Sequence, residues 1–355
     1  MQADVRLRIC LQRCRWSNRQ HFGFIVLLQR LQSEQLFQLW SLMIHPVRIG
    51  SRGSQLALWQ THWVQNAIET QWPEISTEPV VIKTTGDKIQ DVPLAKVGGK
   101  GLFVKEIEEA LMDGRIDLAV HSMKDMPAQL PHGLCILAVP QRETPLDALV
   151  ARENICLEDL PAGARIGTSS LRRASQLLHR RPDLCIEPLR GNLDTRLKKL
   201  STGDLDAIVL AAAGLKRLGL AHLITTVLPP DTMLPAAGQG ALCIESRTND
   251  QSIASLLTSL DHAETHFAVM AERAFLNRLQ GGCQVPIAAL GIVEGETLNL
   301  TGLVAELDGS RLIKATCAGP CDQAASLGHD LAQTLLNRGA GEILERLEAN
   351  AAEIG

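Results

Sequence analysis

The chain has 355 residues, 45% hydrophobic and 21% charged, with a formal net charge of −4 at pH 7. That is a globular composition, long enough for two or three domains, and its balance offers no bulk attraction to nucleic acid. No run of about 18 apolar residues is present, which excludes a spanning helix. The nine cysteines are scattered without a C-x-x-C pair, a usage that fits free thiols in a reducing compartment rather than a disulfide framework.

Residues 1–42 carry six arginines and two acids around a short apolar run, "FGFIVLL", at 22–28. No small-residue cleavage site follows it, which argues against a secretory signal. Met43 stands directly before the first regular pattern. Residues 1–42 are therefore read as a disordered extension or as sequence upstream of the true start, and organellar targeting by them stays open.

From residue 47 short apolar strands alternate with amphipathic helices. "VRIG" reads as a strand, and 54–70 follows as a helix with Leu56, Trp59, Trp63 and Ala67 at helical spacing. "EPVVIKT" (78–84) is a strand, 103–114 a helix ending near Gly114, "IDLAVHS" (116–122) a strand, and "LCILAVP" (134–140) another. The order then restarts. "ARIGTSSLRRASQLLHRR", "LCIEPLRGNLDTRLKKL" and "DLDAIVLAAAGLKRLGL" each read strand, turn, helix. "RIGSRGSQLALWQ" (48–60) is echoed by "RIGTSSLRRASQLL" (165–178). This alternation predicts α/β architecture in two domains, residues 45–140 with 241–258 and residues 146–234, joined by hinges at 141–145 and 235–240. Two crossings make a cleft with a two-strand hinge. Residues 263–355 change character: a helix over 264–280, the loop "GGCQVP", three segments patterned as antiparallel strands, and two terminal helices. That predicts a third, α+β domain.

The turns after the strands are basic and rich in hydroxyls. Arg52 and Ser54 lie in the first. Thr168, Ser169, Ser170, Arg172 and Arg173 lie in its counterpart in the second domain. Arg190 and Arg196 flank the next turn, and Lys216 and Arg217 follow "AIVLAAAG". Ligands of open α/β sheets bind at the carboxyl ends of strands, where helix N-termini and arginine forks favour anions. Four such turns at corresponding positions favour an anion-binding cleft over a merely solvated basic face. "AVHSMKDMP" (119–127) adds Lys124 and Asp125 at another strand end. A carboxylate there is suited to accept N–H groups and to stabilise a cation, although a plain surface turn closed by Pro127 fits the sequence equally. The long stretch 84–103 has four glycines and little periodicity, the mark of a functional lid or of disorder. Lys96, Lys100 and Phe103 are its candidate closing residues. No metal site is expected. Cys10/Cys14 and Cys317/Cys321 lack matching histidines, and "HAETH" (262–266) has its glutamate misplaced for a zinc helix.

The motifs "PLAKVGGKGLFVKE", "AVHSMKDMP", "GTSSLRR", "LRGNLDTRL", "LAAAGLKRLGL", "LPAAGQGA" and "GGCQVPI" occur in this order. Together, across about residues 46–345, they closely resemble the porphobilinogen deaminase (hydroxymethylbilane synthase) family. The departures are the segment before Met43 and minor ones such as Gln55, where the family has proline; neither touches a proposed catalytic group. The resemblance implies two doubly wound domains like those of a periplasmic solute-binding protein, plus a C-terminal α+β domain with a three-stranded antiparallel sheet. It implies a cytoplasmic monomer of tetrapyrrole (haem) biosynthesis, with porphobilinogen as substrate and no nucleic-acid or membrane partner. Four porphobilinogen units would be joined with loss of ammonia on a dipyrromethane cofactor, attached by a thioether to Cys283, and hydroxymethylbilane released by hydrolysis. By the same resemblance Asp125 and Lys124 are catalytic. Lys124, Asp125, Ser169, Ser170, Arg172, Arg173, Arg196 and Gln239 hold the cofactor and growing chain, and Arg52, Ser54, Arg190, Arg196 and Arg217 serve the incoming unit. The competing reading is a non-enzymatic two-domain module for small carboxylates, which leaves Cys283 and the third domain unexplained. A dinucleotide enzyme fails for want of a G-x-G-x-x-G after a strand.

Overall fold

The computed structural model describes residues 45–88, 103–280 and 285–354. In chain order the main elements are β1 (Val47–Ser51), α1 (Gln55–Gln71), β2 (Thr77–Val81), α2 (Thr85–Lys88), α3 (Lys105–Met112), β3 (Leu118–Ser122) and β4 (Leu134–Ala138). Then come β5 (Asp147–Ala151), β6 (Arg165–Gly167), α4 (Leu171–Arg180), β7 (Cys185–Glu187), α5 (Leu193–Ser201), β8 (Ala207–Ala211), α6 (Ala212–Arg217) and β9 (Thr226–Leu228). The chain continues through β10 (Leu242–Arg247), α7 (Gln251–Leu257), α8 (Ala263–Arg278), β11 (Ile287–Glu294), β12 (Thr297–Ala305), β13 (Leu312–Pro320), α9 (Ala324–Leu335) and α10 (Gly341–Ile354).

Two five-stranded sheets carry most of the chain, in the orders β2-β1-β3-β10-β4 and β7-β6-β8-β5-β9. Position by position they correspond. β1 and β6 both stand second, each parallel to its neighbours. The fourth strand of each sheet is antiparallel to the third. The echo between residues 48–60 and 165–178 is thus a topological one: both begin the second strand and the helix after it. The fourth strands explain the two crossings. β5 enters the second sheet straight from the first crossing, and β10 returns to the first sheet straight from the second. The antiparallel three-stranded sheet β11-β12-β13 is also as read from the pattern.

The helices fold where their caps and apolar stripes place them. Ser54 Oγ accepts the Ala57 N–H at 3.3 Å and starts α1, whose Val64 and Ile68 are buried against the first sheet. Its C-terminus, Trp72, joins the same core, its indole N–H donating to the Leu256 carbonyl. In the third region α8 and α9 pack face to face around Phe275, which is completely buried. Gly328 permits that approach, since a Cβ there would sit 2.2 Å from the Ala271 carbonyl oxygen. Among the described residues no helix is long and apolar enough to cross a membrane.

Candidate functional site

The charged turns lie at strand ends, as expected, and most of their side chains are already engaged. Arg52 follows β1. Its Nε and Nη2 donate to Asp87 Oδ1 at 3.1 and 2.5 Å, and its guanidinium lies 4.2 Å from the Phe103 ring centroid. An expected substrate arginine and an expected lid residue therefore stack on each other. Lys96, Lys100 and Cys283 lie outside the described residues.

Lys124 and Asp125 form a single 3₁₀ turn, Met123–Asp125, directly after β3. Burial pushes the Lys124 amine down to about 8; Asp125 opposes that, and Arg173 and Arg172 reinforce it. The Asp125 carboxylate makes no hydrogen bond to another described side chain. The turn is backed by Gly238 of the second crossing, at φ +73°, where a Cβ would stand 2.5 Å from Met123 Cγ. Only glycine fits that approach.

Across from this turn Arg172 and Arg173 open α4, each only 5% exposed. Both reach Asp147, the first residue of β5. Arg172 Nη1 donates to Oδ2 at 2.7 Å, and Arg173 Nε and Nη2 donate to Oδ1 at 3.0 and 2.7 Å. Arg172 also donates to the Leu234 carbonyl, and Arg173 to that of Val209. Burial pushes the Asp147 carboxyl up, but the two arginines pull it further down and hold it well below the usual range. Arg173 thus has all three of its nitrogens turned inward, which makes it a support rather than a free clamp. Among the described residues, Arg172 Nε and Nη2 have no hydrogen-bond partner. Gln239, expected to hydrogen-bond the cofactor, is fully buried; its Nε2 donates to the Pro145 carbonyl at 2.7 Å and to Asp147 Oδ1 at 3.0 Å. It braces Asp147 and the first crossing.

Ser169 Oγ accepts the Leu189 N–H at 2.9 Å and ties the turn after β6 to the turn after β7. Ser170 stands at the N-cap position of α4 with no capping bond from its side chain. Arg196 Nε donates to the Gly191 carbonyl at 2.9 Å. Burial, then Arg173 and Arg190, lower its guanidinium to about 10 while Asp125 resists. These mutual influences place Lys124, Asp125, Asp147, Arg172, Arg173, Arg190 and Arg196 in one neighbourhood, with five cations against two carboxylates. Arg217 Nη2 donates to the Gly240 carbonyl at 2.7 Å, and its guanidinium lies 5.8 Å from the Trp59 ring centroid. It therefore touches the second crossing and the first sheet's α1 from α6 of the second.

Sequence reasoning missed Asp147, Asp87, and the pair Arg142–Glu272. Asp147 had a signal: an aspartate opening the apolar strand "DALVA" needs a buried cationic partner. Glu272, fully buried on α8, receives Arg142 Nη1 at 2.6 Å and Nη2 at 3.1 Å, the Gly238 N–H at 2.6 Å and the Gly291 N–H at 2.8 Å. One carboxylate thus joins both crossings to the third region. His262 and His266 are structural. The first caps α8 at Thr265 and the second meets Asp261 at 2.8 Å. Among the described residues no group of three His, Cys, Asp or Glu could hold a metal.

Fold and site define a class: a protein of two matched α/β sheets with a cluster of cations at strand ends, backed by an α+β region. The donor set suits an organic ligand with several carboxylates, because Arg172, Arg190, Arg196 and Lys124 supply fork and point donors while Asp125 offers an acceptor for N–H groups. Residues 47–255 match the family described as porphobilinogen deaminase, dipyromethane cofactor binding domain, and residues 266–337 match porphobilinogen deaminase, C-terminal domain. The chain belongs to the porphobilinogen deaminase family. A curated porphobilinogen deaminase of Syntrophotalea carbinolica is 60% identical over 302 residues, covering 85% of this chain and 96% of that protein. One from Geobacter metallireducens is 55% identical, covering 84% and 93%. Among solved structures, the periplasmic VFT2 domain of Bordetella pertussis BvgS aligns over 64% of this chain and 91% of its own, with 14% identity and a TM-score of 0.39.

Proposed function

We propose that this protein is a transferase that condenses four porphobilinogen molecules head to tail with loss of ammonia and then releases hydroxymethylbilane by hydrolysis. The dipyrromethane cofactor of its family would be attached through the Cys283 thiolate and supplies the primer on which the chain grows. Arg172, Arg196 and Lys124 would hold its carboxylates and those of the growing chain. Arg52, Arg190 and Arg217 would hold the incoming unit, with Ser54 beside it; Arg173, Gln239 and Asp147 keep Arg172 in place. Asp125 faces the positive charge that develops on the incoming unit as ammonia leaves, then helps remove the proton from the coupled ring carbon. The enzyme is a cytoplasmic monomer in this reading, and its six described cysteines, all free thiols, suit a reducing compartment.

The observation that carries this is the Lys124–Asp125 turn, which sets a carboxylate with no hydrogen bond to another described side chain among cations at a strand end. A passive carboxylate-binding module has no use for a carboxylate there, and the match to both family domains sets that alternative aside. Asp125→Asn keeps size and removes charge. Its single-turnover release of ammonia should fall by at least ~10²–10³, the usual cost of losing one preorganised electrostatic contact, while bound cofactor is retained. Near-normal ammonia release would reduce Asp125 to a binding residue and end the proposed mechanism.

A further inference from the structure

Arg273 follows Glu272 on α8, in the third region, yet its guanidinium reaches the first sheet. Nη2 donates to the Pro127 carbonyl at 2.8 Å and to the Ala128 carbonyl at 3.2 Å, and Nη1 lies 4.0 Å from Met123 Sδ. These three contacts bracket the Lys124–Asp125 turn. Burial depresses the Arg273 guanidinium, opposed only by the distant influence of Cys243 and Glu245. Among the described residues no carboxylate pairs with it. Beside it is a cavity of about 350 Å³ with mostly apolar walls, among them Leu130, Leu134, Ile136, Val139 and Val269, and with Cys135 and His266 also in its lining. Burying an arginine without an ion-pair partner is costly, and here two backbone carbonyls offset that cost.

Upstream, the turn is fixed by the sheet. The Met123 N–H donates to the Ala241 carbonyl at 3.0 Å, and the Met126 N–H closes the turn on the Met123 carbonyl at 3.1 Å. Downstream, the described hydrogen bonds to the Pro127 and Ala128 carbonyls both come from Arg273. Among the described residues no side chain hydrogen-bonds the Asp125 carboxylate, so the backbone of this turn sets its aim.

We propose that Arg273 is a positioning residue for Asp125: by clamping the Pro127 and Ala128 carbonyls and Met123 from the third region, it fixes the direction in which the Asp125 carboxylate points. This rests on the reading of Asp125 as catalytic. A displacement of about 1 Å at such a group costs ~10²-fold, so the loss should appear in turnover and not in binding.

The test compares holoenzyme with Arg273→Met and Arg273→Lys, each checked first for covalent cofactor by intact mass and for folding by thermal melt. Arg273→Met should lower kcat by ~10–100-fold with KM nearly unchanged, and Arg273→Lys should recover part of that. In an Asp125→Asn background the same substitution should cause little further loss, because it acts through Asp125. Unchanged kcat in a folded Arg273→Met, or an equal loss in the Asp125→Asn background, overturns the proposal. Should Arg273→Met not fold, the lysine variant carries the same comparison. If Asp125→Asn alone keeps normal ammonia release, it is the reading of Asp125 that fails, a result separable from the behaviour of Arg273.

Discussion

At the scale of single residues, the site is governed by burial acting on charge. Lys124 is the clearest case, its amine brought from the ordinary 10.5 to about 8 chiefly by desolvation. Below pH 8 it is a cation able to hold a carboxylate; above that it becomes neutral and the hold weakens. The pH profile of kcat/KM should therefore descend through about pH 8, and Lys124→Arg should move that limb to higher pH at reduced activity, because guanidinium does not titrate there. A limb that stays near pH 8 in Lys124→Arg would assign it to another group. The residues that place charge at strand ends were legible in sequence, since Arg52, Arg190, Arg196 and Arg217 each follow an apolar run and a turn residue. Which way a side chain turns was not. Arg173 and Gln239 sit where they were expected, but both face inward to Asp147, because an aspartate far off in sequence is their partner.

At the scale of elements, strand and helix assignments follow from periodicity and caps, and most stand within a few residues of the pattern. The strand read over 78–84 ends sooner, at Val81. What periodicity hides is polar chemistry on an inward face. Glu108 on α3 presents its carboxyl to Glu245 on β10, which lies 3.0 Å from His121 of β3. Glu108 Oε1 and Glu245 Oε1 are buried without hydrogen-bond partners. Burial first, then repulsion from Glu245, raises Glu108 to about 7 against an easing influence from His121. A carboxyl raised above its unfolded value of 4.5 binds its proton more tightly in the folded state. Its stabilising contribution is complete below about pH 4.5 and is lost as pH rises through about 7. The melting temperature should therefore fall between about pH 4.5 and pH 7 and level off above that. Glu108→Gln, neutral at every pH, should flatten that part of the profile, and an unchanged slope would contradict the assignment.

At the scale of the whole molecule, the two crossings between the sheets are not free hinges. Glu272 grips Arg142 of the first and Gly238 of the second, Lys216 reaches Glu143 at 3.0 Å, and Arg217 holds Gly240. The turn around Gly309 closes another contact, its carbonyl 2.7 Å from His179 Nδ1 on α4, the helix that carries Arg172 and Arg173 in its first turn. The third region therefore reaches both sheets at the elements that carry the site. The three-sheet plan was visible in the sequence because each sheet has its own alternation of elements. These junctions were not, since they join residues up to 130 positions apart. In the proposed function this machinery serves a ligand held covalently, which makes intact mass the most direct test. Purified protein should be heavier than its polypeptide by one dipyrromethane unit, and Cys283→Ser should lack both that mass and all turnover. Unmodified active protein, or an adduct that persists in Cys283→Ser, would contradict the account.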